Sequence, residues 1–173
     1  LGIPAEPLFR SRDKPVMYVN ETQVINITVS NINATGNVTI MIGGKNYTAT
    51  LINGRANFTT ELLPYGNHTL TVIYEGDKNL TGSWISKTIE VRKLQSDLTI
   101  SVTNITVDSD ETIKVNVTPG ATGSVVITVD GKDYHVDLDN GVATLELSNL
   151  VNKTYTVHAK YLGDDNYTTC EGD

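Results

Sequence analysis

The sequence predicts an all-β protein made of two tandem antiparallel β-sandwiches, the second lacking its last strand. Three observations lead there. "YEGDKNLTG" (74–82) returns as "YLGDDNYTT" (161–169), eighty-seven positions later. Apolar and polar residues alternate with period two along most of the chain, the pattern of half-buried strands. Gly-rich pairs at hairpin spacing separate those runs, and helical spacing never persists for three turns.

The repeat divides the 173 residues into two copies, expected at 1–95 and 96–173. "TGNVTIMIGGKNY" (35–47) matches "TGSVVITVDGKDY" (122–134), and "NGRANF" (53–58) matches "NGVATL" (140–145), both in the eighty-seven register. Upstream, "ETQVINITV" (21–29) matches "ETIKVNVTP" (111–119) at ninety. The difference is assigned to the loop "SNINATG" against "PGATG", where insertions are cheap.

The elements then follow in order. Residues 1–14 form an N-terminal arm, and "KPVMYV" beyond it can pair as a strand, although Pro4 and Pro7 weaken the preceding region. "VINITV", "NVTIMI", "ANFTTEL", "HTLTVIY" and "KTIEV" are the strands of copy one. Gly43-Gly44, Asn53-Gly54, Asp130-Gly131 and Asn140-Gly141 supply the positive φ that tight hairpins need. Parity puts Leu70, Val72 and Tyr74 inward with Val157, Ala159 and Tyr161. It puts Thr69, Thr71, Thr156, His158 and Lys160 outward. The repeated octet is thus a structural corner. Tyr74 and Tyr161 anchor in the core, Gly76 and Gly163 turn the chain, and Asp77, Asn79, Asp164 and Asn166 hydrogen-bond the loop backbone.

After its corner, copy one continues "SWISKTIEVRK" (83–93), with Trp84 or Ile85, then Ile89 and Val91, facing inward. Copy two reaches Cys170, aligned with Ser83, and ends at "EGD". Its last strand is expected to be absent, leaving an open edge and an apolar slot. Two explanations stand: the chain is a cut piece, or another molecule adds the strand, with residues 1–19 of a neighbouring copy, "KPVMYV" among them, as the candidate donor.

The corners "YEGDKN" and "YLGDDN", each after an alternating strand and the first before a final one, resemble bacterial and archaeal immunoglobulin-like repeats of large surface proteins. The likeness spans about 16–173 and is greatest to methanogen adhesin-like proteins. It implies an extracellular, cell-surface, non-enzymatic stalk or adhesion role, a fold-level association rather than a derivation from chemistry. Two other roles stay open: an adhesin head that grips a sugar or host protein, and an accessory module of a larger surface enzyme.

Charge narrows the partners. A formal net charge of −7 disfavours nucleic acid, whose phosphates demand a basic face. No apolar run approaches a membrane span, and the opening residues lack the apolar stretch of a secretory signal. Residues 1–96 carry nine Lys/Arg against seven Asp/Glu; residues 97–173 carry four against thirteen. Arg10, Arg12 and Lys14 sharpen one end; Asp164, Asp165, Glu171 and Asp173 the other. Such asymmetry is either ordinary drift of surface charge or a steer for head-to-tail contact between copies of the chain.

The pattern Asn-Xaa-Thr occurs at Asn20, Asn26, Asn33, Asn37, Asn46, Asn57, Asn67, Asn79, Asn104, Asn116, Asn152 and Asn166, twelve of sixteen asparagines. It marks N-glycan acceptors in exported proteins, so glycans are expected as a covalent modification. Strand alternation alone also places residues i and i+2 on one wet face, but it does not demand Asn or exclude Ser.

Catalytic signals are sparse. His68 aligns with Tyr155 and reads as a core filler; His135 and His158 lie outward. Lys114 and Lys160 also fall outward, away from any core isopeptide. Cys170 is alone and excludes an internal disulfide. The expected cofactor set is none, with Asp108, Asp110 and Glu111 of "VDSDE" as a weak calcium candidate, since calcium favours such oxygen ligands.

Overall fold

A computed structural model describes Ile3–Pro4, Pro7–Leu8 and residues 16–103 and 110–173. The chain divides into two compact units, Leu1–Arg92 and Lys93–Asp173, and every described element is a strand.

Unit one contains β1 (Ile3–Pro4), β2 (Pro7–Leu8), β3 (Val16–Tyr18), β4 (Val24–Val29), β5 (Asn37–Ile42), β6 (Lys45–Thr50), β7 (Arg55–Thr59), β8 (Gly66–Gly76) and β9 (Leu80–Arg92). One sheet runs β1-β9-β8-β5-β6 with β3 also on β9; the other runs β2-β4-β7. Consecutive strands β4 and β5 lie in different sheets, as in Greek-key sandwiches. Pairing is antiparallel except for β1 and β3, which run parallel to β9.

Unit two repeats the plan with β10 (Leu98–Val102), β11 (Glu111–Val117), β12 (Ser124–Val129), β13 (Lys132–Asp137), β14 (Val142–Leu147), β15 (Val157–Tyr161) and β16 (Cys170–Gly172). Its sheets are β10-β11-β14 and β13-β12-β15-β16.

Each core comes from the inward parity of both sheets. In unit one Ile27, Val38, Ile40, Val72, Tyr74, Ile89 and Val91 are buried. In unit two Ile113, Val115, Val125, Ile127, Ala143, Ala159 and Tyr161 form one cluster. A fully buried side chain of this size contributes about 1.5–3 kcal/mol, so a few of them decide whether such a small unit folds. Asn53, Asp130 and Asn140 have positive φ, each followed by a positive-φ Gly, which matches the twist of the flanking strands.

Three expectations change and one open alternative is resolved. The upstream strands correspond at eighty-eight rather than ninety: Ile25 pairs with Phe58 and Ile113 with Leu145, while Val29 and Val117 donate to Gly54 and Gly141 oxygens at 2.8 Å each. Copy one therefore carries one extra loop residue, not three. Second, "KPVMYV" belongs to unit one itself. Val16–Tyr18 pair with Glu90–Arg92, Val19 N–H donates to Arg92 O at 2.9 Å, and Met17 and Val19 are buried. The arm's Arg10, Arg12 and Lys14 lie outside the described residues. Third, the final strand of unit two is begun: Cys170–Gly172 pair with Ala159–Tyr161. Fourth, Trp84 points outward, 70% exposed, because Tyr74 opposite Ser83 fixes Ile85 as the inward residue.

Candidate functional site

The most developed chemistry among the described residues is the corner, built twice. In unit one the Asp77 carboxylate follows Gly76 at the β8–β9 turn. Its Oδ1 accepts the N–H of Asn79 (2.8 Å) and Leu80 (2.9 Å), closing the turn. Its Oδ2 accepts the N–H and hydroxyl of Thr35, both at 3.0 Å, from the β4–β5 loop. Unit two reproduces this bond for bond. Asp164 Oδ1 accepts the N–H of Asn166 (2.8 Å) and Tyr167 (2.7 Å), and Oδ2 accepts the N–H and hydroxyl of Thr122, both at 2.8 Å. Tyr161, buried below, donates its hydroxyl to Thr122 O at 2.9 Å.

Each aspartate thus latches a turn of one sheet to the crossover loop feeding the next strand. Thr35 and Thr122 are partners that residue-by-residue reading missed. The signal was there: each stands 42 positions before its aspartate, at the head of the repeated "TGNV/TGSV". Asn79 and Asn166 contribute backbone N–H groups to these latches.

The latch sets the charge state. Donors from Asn79 and then Thr35 hold the Asp77 carboxyl well below the usual carboxylate range. For Asp164, burial acts upward, but the bonds from Thr122, Asn166 and Tyr167 outweigh it and bring the pKa down to about 2, against an ordinary 3.8. Burial, and then the nearby Asp164 charge, pushes the Tyr161 hydroxyl far up. A carboxyl depressed on folding stabilises above its unfolded pKa and loses that contribution as pH falls through the folded one. Unit two should therefore weaken between about pH 4 and pH 2, by about 1 kcal/mol after solvent screening is allowed for. Urea unfolding of the chain at pH 5 and pH 2.5 measures this, and Asp164→Asn should flatten the difference for unit two alone.

The other candidates are placed as follows. His68 is not a core filler: it is half-buried, and its Nε2 lies 2.7 Å from Pro64 O. Tyr155, at the same place in unit two, bonds Val151 in the same way, donating to its oxygen (3.2 Å) and accepting its N–H (3.0 Å). Both tie down the loop before the strand. His135 is exposed, and His158 Nδ1 meets Asp173 at 2.8 Å on the outer face. Lys114 and Lys160 are exposed, and Cys170 is half-buried on β16. Of the calcium candidates, Asp108 lies outside the described residues and Asp110 is exposed. Glu111 is buried, with one carboxylate oxygen accepting the N–H (2.9 Å) and hydroxyl (3.0 Å) of Thr103. That oxygen is committed to joining β10 to β11. Among the described residues, no three His, Cys, Asp or Glu group as a metal site.

Eleven of the twelve Asn-Xaa-Thr asparagines are described, Asn104 being outside. Ten are exposed, and Asn166 is half-buried. The Asn166 motif is also engaged internally: Leu94 N–H donates to Asn166 O (2.8 Å), and Thr168 Oγ1 accepts Ser96 N–H (3.3 Å). Asn26 and Asn57 face each other directly across β4 and β7.

These features define a protein of tandem immunoglobulin-like sandwiches, and comparison with known families specifies the class. The chain belongs to the bacterial Ig-like domain (group 3) family, whose model matches residues 12–92 and 98–172. No curated protein matches it. Among solved structures, it is similar to the fibronectin(III)-like modules of Clostridium thermocellum CbhA: 14% identity, covering 95% of this chain and 90% of that one, TM-score 0.38. It is also similar to a 1.5-MDa bacterial ice-binding adhesin, with 18% identity, 99% and 64% coverage, and TM-score 0.38. A third is Bacteroides ovatus SGBP-B in complex with mixed-linkage heptasaccharide, with 14% identity, 95% and 67% coverage, and TM-score 0.34. No helix among the described residues is long and apolar enough to cross a membrane.

Proposed function

We propose that the chain is a non-enzymatic, extracellular structural module, two Ig-like links of a cell-surface stalk or adhesin. One observation carries the reading. The polar constellation that recurs in both units among the described residues, the Asp77 and Asp164 corners, is spent on internal hydrogen bonds that lock sheet to loop. Chemistry repeated for cohesion suits a link that bears load. Stretching single molecules held by both ends tests it. Two abrupt unfolding events are expected, releasing about 32 nm for Leu1–Arg92 and about 28 nm for Lys93–Asp173 at about 3.5 Å per residue. Smooth extension without force peaks would remove the mechanical role.

Placement on a methanogen surface is part of the proposal and rests only on the likeness of the corners. Glycosylation is a second part, supported by ten exposed acceptor asparagines. Glycopeptide mapping of native-source protein should find Asn166 bare and never find Asn26 and Asn57 occupied on one molecule, since directly opposed side chains have Cβ atoms about 5 Å apart. Bare polypeptide mass throughout would dismiss the modification. Head-to-tail assembly of neighbouring copies is a third part, supported by the acidic balance of 97–173 against the basic excess of 1–96; self-association that weakens with salt is its signature.

One observation favours the adhesin-head alternative. Trp84 stands on the outer face of β9 opposite Ile73, next to the bonded hydroxyls of Thr71 and Ser86 (3.2 Å). A flat aromatic beside hydroxyls suits a sugar ring, and loss of glycan binding in Trp84→Ala would favour that reading.

A further inference from the structure

The larger sheets of the two units share a core plan and differ on their outer faces. In unit one a row of directly paired residues runs Trp84, Ile73, Thr39, Thr48, from β9 through β8 and β5 to β6. Met41 lies diagonally beside Ile73, further along β5. Trp84 is 70% and Met41 40% exposed, with the half-buried Ile73 between them. A contiguous exposed apolar patch of this kind marks a contact. In unit two the same row, eighty-seven positions on, runs Glu171, Lys160, Val126, His135. There Lys160 and Glu171 form an ion pair at 3.8 Å, as on an ordinary solvated face. Beside the unit-one row stand two acceptor asparagines, Asn37 two residues before Thr39 on β5 and Asn46 opposite Met41. Their equivalents in unit two are Ser124 and Asp133. Platform and acceptors are thus present together in one unit and replaced together in the other. A seat for a free ligand needs no acceptor beside it; a seat for the chain's own sugar does.

We infer that Trp84, with Ile73 and Met41, is the seat of the chain's own glycan, rooted at Asn37. Two strand spacings across and two residues along put Trp84 about 12 Å from Asn37, and one spacing more puts it about 16 Å from Asn46. The shorter span is within reach of the inner sugars of a glycan. Asn37 is exposed at the start of β5, and its Oδ1 accepts the Thr50 hydroxyl at 2.9 Å. That bond fixes the amide plane, and with it the direction in which a sugar on Nδ2 leaves, before the glycan settles. On the Asn37 side of Trp84 the next outward residue of β9 is Gly82, so β9 places no side chain in the way. A pyranose ring carries C–H bonds on its flat faces and hydroxyls around its rim. The C–H face meets the negative face of the indole, and the rim meets the Thr71 and Ser86 hydroxyls. Attachment joins the anomeric carbon of an oligosaccharide, activated as a phosphate ester, to Asn37 Nδ2. The carbon–oxygen bond to phosphate breaks, phosphate leaves with the electron pair, and the amide gives up one proton. The inference rests on the glycosylation part of the proposed function and assigns Trp84 to the chain's own sugar instead of a captured one.

Trp84 is the single tryptophan of the chain, so its fluorescence reports this site alone. The test compares the 173-residue chain secreted by an N-glycosylating archaeal host with the same chain made in a host that adds no glycan. Acrylamide quenching is expected to be several-fold weaker in the glycosylated protein, with emission moved to shorter wavelength. Among glycosylated variants, Asn37→Gln should restore the quenching of the bare chain, and Asn46→Gln should leave it weak. Trp84→Ala should keep Asn37 occupied in glycopeptide maps while the upfield ring-current shifts of its sugar protons vanish from NMR spectra. An occupied Asn37 with Trp84 as quenchable as in the bare chain, or uncovering by Asn46→Gln alone, would overturn the inference and leave glycosylation standing. Asn37 bare while other asparagines carry glycan does the same, and bare mass throughout removes both. In the bare chain, protection that grows with protein concentration would give the patch to a second copy. Protection there by added cellohexaose, with none from the attached glycan, would give it to a free sugar. Either result overturns the inference.

Discussion

Tyr161→Ala will unfold unit two and leave unit one folded. The side chain is fully buried, one of the two largest that are so among the described residues. It stands at the end of β15, under the corner, and its hydroxyl donates to Thr122 O in the crossover loop. Truncating a buried aromatic to alanine costs about 3–5 kcal/mol in lost transfer energy and cavity. Small domains hold only about 5–10 kcal/mol in all, so a loss of this size removes most of the unit's stability. The lost ring also leaves the Thr122 carbonyl without its donor, and Thr122 is the residue Asp164 holds. Hydrogen exchange by mass spectrometry should show peptides from 93–173 exchanging at unfolded rates while those from 16–92 stay protected. Tyr161→Phe separates the terms. It keeps the ring, loses one hydrogen bond, and should cost about 1 kcal/mol. Protection of 93–173 near the parent level in Tyr161→Ala would mean the corner is not the keystone of the unit.

How far the sequence spoke can be judged from particular residues. Period-two alternation gave the sandwich and assigned Leu70, Val72, Tyr74, Ala159 and Tyr161 to the core, where they are buried. The same regularity hid the true register of β4 and β11. A shift of ninety against eighty-eight is two residues, and two residues leave every side chain on its own face. Only the ladder, with Ile25 on Phe58 and Ile113 on Leu145, tells them apart. Trp84 was ambiguous for a related reason. Parity carries across a hairpin only when the turn's length is known, and here Asp77 sets it by gathering Asn79 and Leu80. The pairing of β3 with β9 links residues more than seventy positions apart; no local pattern announces such a contact. The corner shows the same limit. Repetition marked Asp77 and Asp164, yet which hydroxyl each would hold depended on a loop brought in from across the sandwich.

Gly76→Ala should destabilise unit one by about 3 kcal/mol, and Gly163→Ala should cost unit two roughly half of that. Both glycines begin the corner with positive φ, +95° and +79°, where a side chain is strained by about 1–2 kcal/mol whatever its surroundings. Their neighbours differ. A Cβ on Gly76 would lie 2.6 Å from Leu80 O and 2.9 Å from Gly82 N, backbone atoms locked in the same turn. On Gly163 the nearest atom, Tyr167 O, would be at 3.1 Å, a contact that a few tenths of an ångström relieve. The Gly76 clash also falls on the residues that Asp77 organises: Leu80 N–H is one of its donors, and Asp77 N–H in turn donates to Leu80 O at 3.0 Å. Forcing that oxygen away therefore loosens the carboxylate's other bonds to Asn79 and Thr35. The depressed pKa of Asp77 provides an independent readout. In Gly76→Ala its carboxyl should titrate closer to the ordinary Asp range by NMR, whereas Asp164 in Gly163→Ala should stay near its parent value. Equal losses in the two units, with both carboxyls unmoved, would mean that the strain is purely conformational and that turn and latch are not coupled.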